Sequence, residues 1–435
     1  MDPMTVGFIG LALMVILMFL GMPIALVFGI SGLAGIMMIL GPDLGINYMM
    51  SIPVTAAASY TLLVMPMFTM MGEIASSGGL TTDAYGAARS WFGRARGGLA
   101  VTTSVASAIF GCVCGSGVTT AMVFSQVAWP EMKRNGYSPR LGLAAIAAAG
   151  PLGTLIPPSV PLIMYGIMAE TSIGKLFMAG WLPGILLLLC LCITINIWAR
   201  VKPQDAPRTE KINLKTKLKS LTRVWPFLVL ILLVMGGIWG GICTVHEGAA
   251  VGAMGALIIT LIMRRMKLKQ FINCMKNVCG TGCSFFFLFV GVQFFNSFMT
   301  LSGLPRALAA WVGGLDIAPM AVIWVIVIVY LFLGCFLDVA PIMMLTIPIF
   351  APVVRTLGLD MIWFGIIVTF CGALGALTPP VGMNLFVLAN RVPDVGIGEI
   401  IKGIVPFIVA TFVALVIVMY VPQIATLLPS LMVGS

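Results

Sequence analysis

Two apolar segments, each split by a proline pair, constrain this chain more than any other feature. Gly153 to Ser159 reads Gly-Thr-Leu-Ile-Pro-Pro-Ser, and Gly375 to Val381, at the matching place in the second half, reads Gly-Ala-Leu-Thr-Pro-Pro-Val. Proline has no N–H and clashes with the preceding turn, so Pro157-Pro158 and Pro379-Pro380 each interrupt a helix and free backbone carbonyls. Of the 435 residues, 60% are hydrophobic and 9% charged, against a charged share of about 25% in soluble domains. The chain therefore reads as an all-α polytopic membrane protein, and the breaks fall at bilayer depth. Irregular backbone is tolerated there only where protein buries it or it lines a wet cavity. Paired breaks at corresponding places in two halves are the mark of a transporter's binding site.

The net charge of +10 would suit an acidic partner, but the positions of the basic residues give a simpler account. Of 24 Lys and Arg residues, 21 fall in clusters: Arg89, Arg94 and Arg96; Lys133, Arg134 and Arg140; eight from Arg200 to Arg223; five from Arg264 to Lys276; and Arg391 with Lys402. These mark cytoplasmic loops, and no nucleic-acid partner is implied. Threading apolar segments between them gives ten crossings: Val6–Leu20, Pro23–Leu40, Ala56–Ala75, Leu141–Met168, Leu176–Trp198, Val224–Gly241, Ala249–Met263, Cys279–Met299, Ile362–Leu388 and Gly403–Val421. Both termini then lie outside, with only Lys175, Arg306 and Arg355 on the outer face. Met1-Asp2-Pro3-Met4 lacks a basic n-region, so the first span is expected to be retained.

The halves match beyond the breaks. Gly79-Leu80 resembles Gly303-Leu304, Phe110-Gly111-Cys112 resembles Leu333-Gly334-Cys335, and Gly180-Trp181-Leu182-Pro183 resembles Gly403-Ile404-Val405-Pro406, all at a nearly constant offset. A repeat of about five spans, an odd number, must enter the bilayer inverted the second time. The expected repeats are residues 1–223 and 224–435. Within each, an apolar stretch starts and ends on one side: Gly97 to Pro130, centred on Gly111 to Gly117, and Ala318 to Val354, centred on Gly334 to Pro341. Each is expected to form a re-entrant helical hairpin, although two ordinary spans would satisfy the charges equally.

Four loops thus meet bilayer depth, and oxygen donors in them are candidate Na⁺ ligands. They are Gly115, Ser116 and Thr119 at the first tip, the backbone of Gly153, Ile156 and Pro158, Asp338 at the second tip, and Gly375, Thr378 and Pro380. Half-helix N-termini suit a carboxylate, and freed carbonyls suit a hard cation. For an organic anion the candidates are Ser116, Pro157, Asp338, Pro379 and Asn384. Hydroxyls bonded to their own helix, or an Asp338 that merely caps the returning helix, are the structural alternatives. Glu73 is expected near the cytoplasmic boundary.

The ten cysteines, including Cys112-x-Cys114 and Cys279-x3-Cys283, read as small packing residues, since the one histidine, His246, falls in a predicted outer loop. No phosphate-binding loop with a following Lys and no nucleophile–His–acid set is present, which argues against an ATPase or an intramembrane enzyme.

From Pro66-Met67-Phe68 through Gly72-Glu73 to Gly79-Leu80, at the tip Gly111 to Gly117, and at Thr378-Pro379-Pro380-Val381-Gly382-Met383-Asn384-Leu385, the sequence resembles the large membrane subunit of tripartite ATP-independent periplasmic (TRAP) transporters. The resemblance spans essentially the whole chain. It implies an elevator-type secondary transporter of the bacterial inner membrane that imports an organic acid, such as a C4-dicarboxylate or sialic acid, with Na⁺ as coupling ion. It implies two partners, a small four-span membrane subunit and a periplasmic substrate-binding protein. It places the scaffold at residues 1–55 and 224–263, the moving elements at 97–199 and 317–421, and the Na⁺ sites at the tips and facing breaks. One departure is the first tip, where Cys114-Gly115-Ser116 replaces the family's frequent Ser-Gly-Ser. A single-chain Na⁺- or H⁺-coupled dicarboxylate carrier is the main alternative.

Overall fold

A computed structural model describes residues 2–208, 213–315 and 317–431; Lys211 of the third basic cluster and the outermost residues of both expected repeats, Met1 and 432–435, lie outside the described residues. Among the described residues the regular structure is helical, and its order repeats. Ile24–Leu40 is matched by Val245–Ile262, Leu80–Phe92 by Leu304–Gly313, and Ile173–Val201 by Ile397–Tyr420. Gly79 and Gly303, which precede the second of these pairs, share left-handed backbone at φ 74° and 70°.

Between them lie the four interrupted segments. The first hairpin is Gly98–Cys114 followed by Gly117–Val127, and the second is Pro319–Gly334 followed by Val339–Thr356. The first broken helix is Pro139–Leu155 with Val160–Met168, bent by 43°; the second is Met361–Gly375 with Met383–Arg391. Both proline pairs are cis.

Local chemistry sets these turns. Gly115 adopts φ +65°, and a Cβ there would meet the Pro158 carbonyl oxygen at 2.5 Å, so only glycine allows the tip to seat on the break. The seat is fixed by the Val160 amide, which donates to the Gly115 carbonyl at 3.1 Å. The second tip is joined likewise, with the Gly382 amide donating to the Cys335 carbonyl at 3.4 Å. Ser116 and Ser159 cap the helices that follow them by accepting from the Thr119 and Leu162 amides.

Helix lengths bear on the expected crossings. Six helices are long and apolar enough to span a membrane, or eight counting two bent pairs as spans. Seven of the ten expected crossings are among these. The others are Pro3–Phe19 and Ile24–Leu40, each 17 residues and so at the short end of what spans a membrane, and the second broken helix, whose parts Met361–Gly375 and Met383–Arg391 are separated by residues 376–382. Val339–Thr356, expected as a hairpin arm, is itself long enough. Two further elements lie outside the expected spans: Pro42–Ala57, and the first turns of Leu268–Ser302, which begins well before Cys279. The latter absorbs Lys269 and Lys276 of a basic cluster into a 35-residue helix, here called the long helix. The cysteines are free, with Cys112, Cys114, Cys274 and Cys371 buried in the packing. His246, expected in a loop, sits in the first turn of Val245–Ile262, its ring stacked on Tyr60 at 4.7 Å.

Candidate transport site between the two hairpin tips

The two tips converge on one cavity of about 120 Å³. The first contributes Gly115, Ser116 and Thr119, the second Asp338 and Val339, and Asn384 enters from the second broken helix. These residues come from opposite halves of the sequence, and the fold brings them to a common wall.

Ser116 and Asp338 occupy equivalent places in the two repeats, each at the N-cap of a returning helix. Their roles differ. The Ser116 hydroxyl accepts from the Thr119 amide at 3.4 Å and from the Thr119 hydroxyl at 3.2 Å. The Asp338 carboxylate makes no capping bond. The cap bond that was its structural alternative is absent; the carboxylate interacts with the neighbouring Val339 amide and lines the cavity. Asn384 is 2% exposed; its amide nitrogen donates to the Ala147 carbonyl at 3.4 Å, while its oxygen has no partner among the described residues. A buried unpaired amide oxygen is costly, which makes it a place for a ligand donor or water.

The proline pairs are set back from the cavity. Gly153, Ile156, Pro157 and Pro158 are buried behind its wall, and Gly375, Thr378, Pro379 and Pro380 do not line it either. The Thr378 hydroxyl donates to the Leu374 carbonyl at 2.8 Å, the bond to its own helix that was the structural alternative for this residue. The breaks instead set where the tips rest. Gly111 packs against Gly153 so closely that a Cβ on Gly111 would lie 2.9 Å from the Gly153 Cα, and Gly334 meets Gly375 at 2.7 Å in the same way.

Glu73, expected near the cytoplasmic boundary, lines the cavity. It lines the wall beside Thr69, and the Asn277 amide donates to its carboxylate at 3.4 Å. Thr154, Thr281 and Phe285 also line it and were missed in the sequence. Thr154 had a signal, since it lies within the first proline-broken segment, Gly153 to Ser159. Thr281 and Phe285 had none, because the long helix reaches the site only through tertiary packing. The described lining holds two carboxylates, Asp338 and Glu73, and no Lys, Arg or His. Such a site favours a cation on charge alone.

A family model described as "Tripartite ATP-independent periplasmic transporter, DctM component" matches residues 11–424. The chain belongs to this family. It is 35% identical over 375 residues, 85% of this chain and 86% of the relative, to the C4-dicarboxylate TRAP transporter large permease protein DctM of Pseudomonas aeruginosa. It is 31% identical over 419 residues, 96% and 97% of the two chains, to the sialic acid TRAP transporter large permease protein SiaM of Vibrio cholerae. In fold, this TRAP large permease is similar to the YdaH transporter of Alcanivorax borkumensis, whose crystal structure was described as revealing an unusual topology. The TM-score is 0.61 at 17% identity, over 88% of this chain and 89% of the other. The protein is thus a multi-pass membrane permease component of TRAP type.

Proposed function

We propose that this TRAP large permease imports an organic acid together with Na⁺, and that the cavity between the hairpin tips is where the two meet. The observation that carries this reading is the charge of that cavity. An organic carboxylate entering beside Asp338 and Glu73 would face like charges with no basic side chain to offset them. Co-bound Na⁺ removes that penalty, so anion and cation bind best together, which is the physical basis of symport. Relatives named for a C4-dicarboxylate and for sialic acid, both carboxylates, support the substrate class.

In the proposed mechanism the Na⁺ ions, which are cargo, take oxygen ligands from Ser116, Thr119 and Asp338 and from the carbonyls of Gly115, Gly153, Ile156, Pro158, Gly375, Thr378 and Pro380. The substrate is positioned by Asn384, Asp338, Ser116 and the backbone at Pro157 and Pro379. Residues 97–199 and 317–421 move as an elevator against a scaffold of 1–55 and 224–263. The hairpins are re-entrant from opposite faces, and the buried setting of Cys114 and Gly115 at the first tip supports this. The permease works in the bacterial inner membrane with both termini outside, alongside a small four-span subunit and a periplasmic substrate-binding protein. The word tripartite in the family description supports a need for further components.

The test is uptake of a radiolabelled organic-acid panel into proteoliposomes holding the chain and its small subunit, with the binding protein outside, with and without an inward Na⁺ gradient. Uptake that needs both the binding protein and Na⁺ is expected. Uptake by the chain alone, or driven by protons with Na⁺ irrelevant, would overturn the reading.

A further inference from the structure

A second cavity, of about 500 Å³, lies toward the far end of the returning helix of the second hairpin. Its size falls in the range of small-molecule sites. Its polar wall comes from Arg355 on that helix, Arg306 on Leu304–Gly313, Glu170 after the first broken helix, and Gln293 and Asn296 on the long helix. Both arginines are exposed, and neither forms an ion pair among the described residues. One Arg355 nitrogen donates to the Ala169 carbonyl, which anchors the guanidinium at the rim with other donors free. The Asn296 side-chain oxygen is buried without a partner among the described residues.

The same two helices wall both cavities. The long helix turns Thr281 and Phe285 to the first, and Phe289, Gln293, Asn296 and Thr300 to the second. Spacings of three and four put all six on one stripe. On the returning helix, Val339 and Ala340 face the first cavity while Pro348, Pro352 and Arg355 face the second. Phe285, which lines the first cavity, and Phe289, which lines the second, stand about 6 Å apart along the axis, roughly one turn.

We propose that the second cavity is a receiving site for the carboxylate of the transported acid, held by Arg306 and Arg355 and parted from the inner chamber by Phe285 and Phe289. This rests on the organic-acid reading above, and on the assignment of both arginines to the outer face. The two chambers have opposite charge preferences. Two guanidinium groups against Glu170 leave the outer one net positive, so it takes the bare anion through charge-assisted, fork-shaped contacts. The inner one accepts that anion only with cations. Glu170 keeps the outer hold weak enough for release inward.

Two readouts test this. In Na⁺-driven uptake, Arg306→Gln and Arg355→Gln should each raise the KM for the transported acid about ten-fold, with maximal rate and half-saturating Na⁺ within about two-fold. Glu170→Gln should lower the KM about two- to five-fold, by about the value of one like charge nearby, and Arg306→Lys should fall between wild type and Arg306→Gln. Second, equilibrium binding of radiolabelled succinate and sialate to the purified complex without Na⁺ should be measurable in the wild type and be lost in the arginine variants. Unchanged KM and binding in all variants would overturn the proposal. So would arginine variants that lose affinity for the substrate-free binding protein in parallel, since the pair would then be a protein-docking contact. Wild-type uptake that ignores Na⁺ would refute the functional reading alone, and the Na⁺-free binding result would still decide this one.

Discussion

Asp338 and Ser116 hold the same place in the two repeats and differ by one chemical property, charge. Ser116 spends its oxygen on the Thr119 amide, whereas Asp338 at the matching N-cap makes no such bond. Asp338→Asn is therefore expected to raise half-saturating Na⁺ in uptake by at least about ten-fold, the loss of one charged ligand, with little change in melting temperature. Ser116→Ala should instead destabilise the protein by about 1 kcal/mol through loss of a cap, with a smaller effect on Na⁺. Thermal melting in detergent beside uptake separates the two; equal Na⁺ responses would show that charge is not what distinguishes the tips. The candidate residues at the tips were legible because an acid or hydroxyl in an apolar Gly-rich centre stands out. Glu73's place in the wall was not legible for a physical reason: a carboxylate near the end of an apolar run reads as a boundary residue, and only the packing of the long helix shows that it faces a cavity.

At the scale of elements, the hairpins lean on the broken helices through glycine pairs. A Cβ on Gly334 would sit 2.7 Å from the Gly375 Cα, backbone against backbone, and neither helix can yield locally. Gly334→Ala should cost about 1–3 kcal/mol by overpacking and Gly111→Ala a similar amount. Gly280→Ala in the long helix, where a Cβ meets nothing within 4 Å, should stabilise by about 0.5–1 kcal/mol through helix propensity. Melting temperatures of the three check this, and a neutral Gly334→Ala would mean that the tip is looser than the packing shows. The Phe110-Gly111 and Leu333-Gly334 echo identified these helices in the sequence. Pattern alone did not say what the glycines touch, because their partners, Gly153 and Gly375, lie beyond the returning arm of each hairpin, on another helix. Nor did it reveal Pro42–Ala57, whose polar and apolar residues gave no span-like run.

At the scale of the whole molecule, one set of contacts that join the two halves falls within residues 97–199 and 317–421, the segments proposed to move, while another joins residues outside them, as where Arg265 pairs with Asp83 and Phe28 meets Phe295 at 5.4 Å. Asn384 donates to the Ala147 carbonyl at 3.4 Å, the Tyr165 hydroxyl to the Met361 carbonyl at 2.6 Å, and Arg355 to the Ala169 carbonyl. Arg140 pairs with Glu399, and Lys133 with Asp394 at 3.2 Å. Such cross-links are what an elevator requires of its moving part, since both hairpins and both breaks must travel with their cargo while the cavity between them keeps its shape. The ion pairs are exposed, so they are screened and add little to stability. Their place nevertheless makes a prediction. If Arg140 and Glu399 ride on one body, neutralising the pair with Arg140→Gln and Glu399→Gln breaks no contact that changes during transport. The double variant should melt within about 2 °C of wild type and keep its maximal uptake rate within about two-fold. A several-fold change in rate at unchanged melting temperature would mean that the pair forms and breaks in the cycle, and that the boundary between the moving and fixed parts runs between Pro139–Leu155 and Ile397–Tyr420.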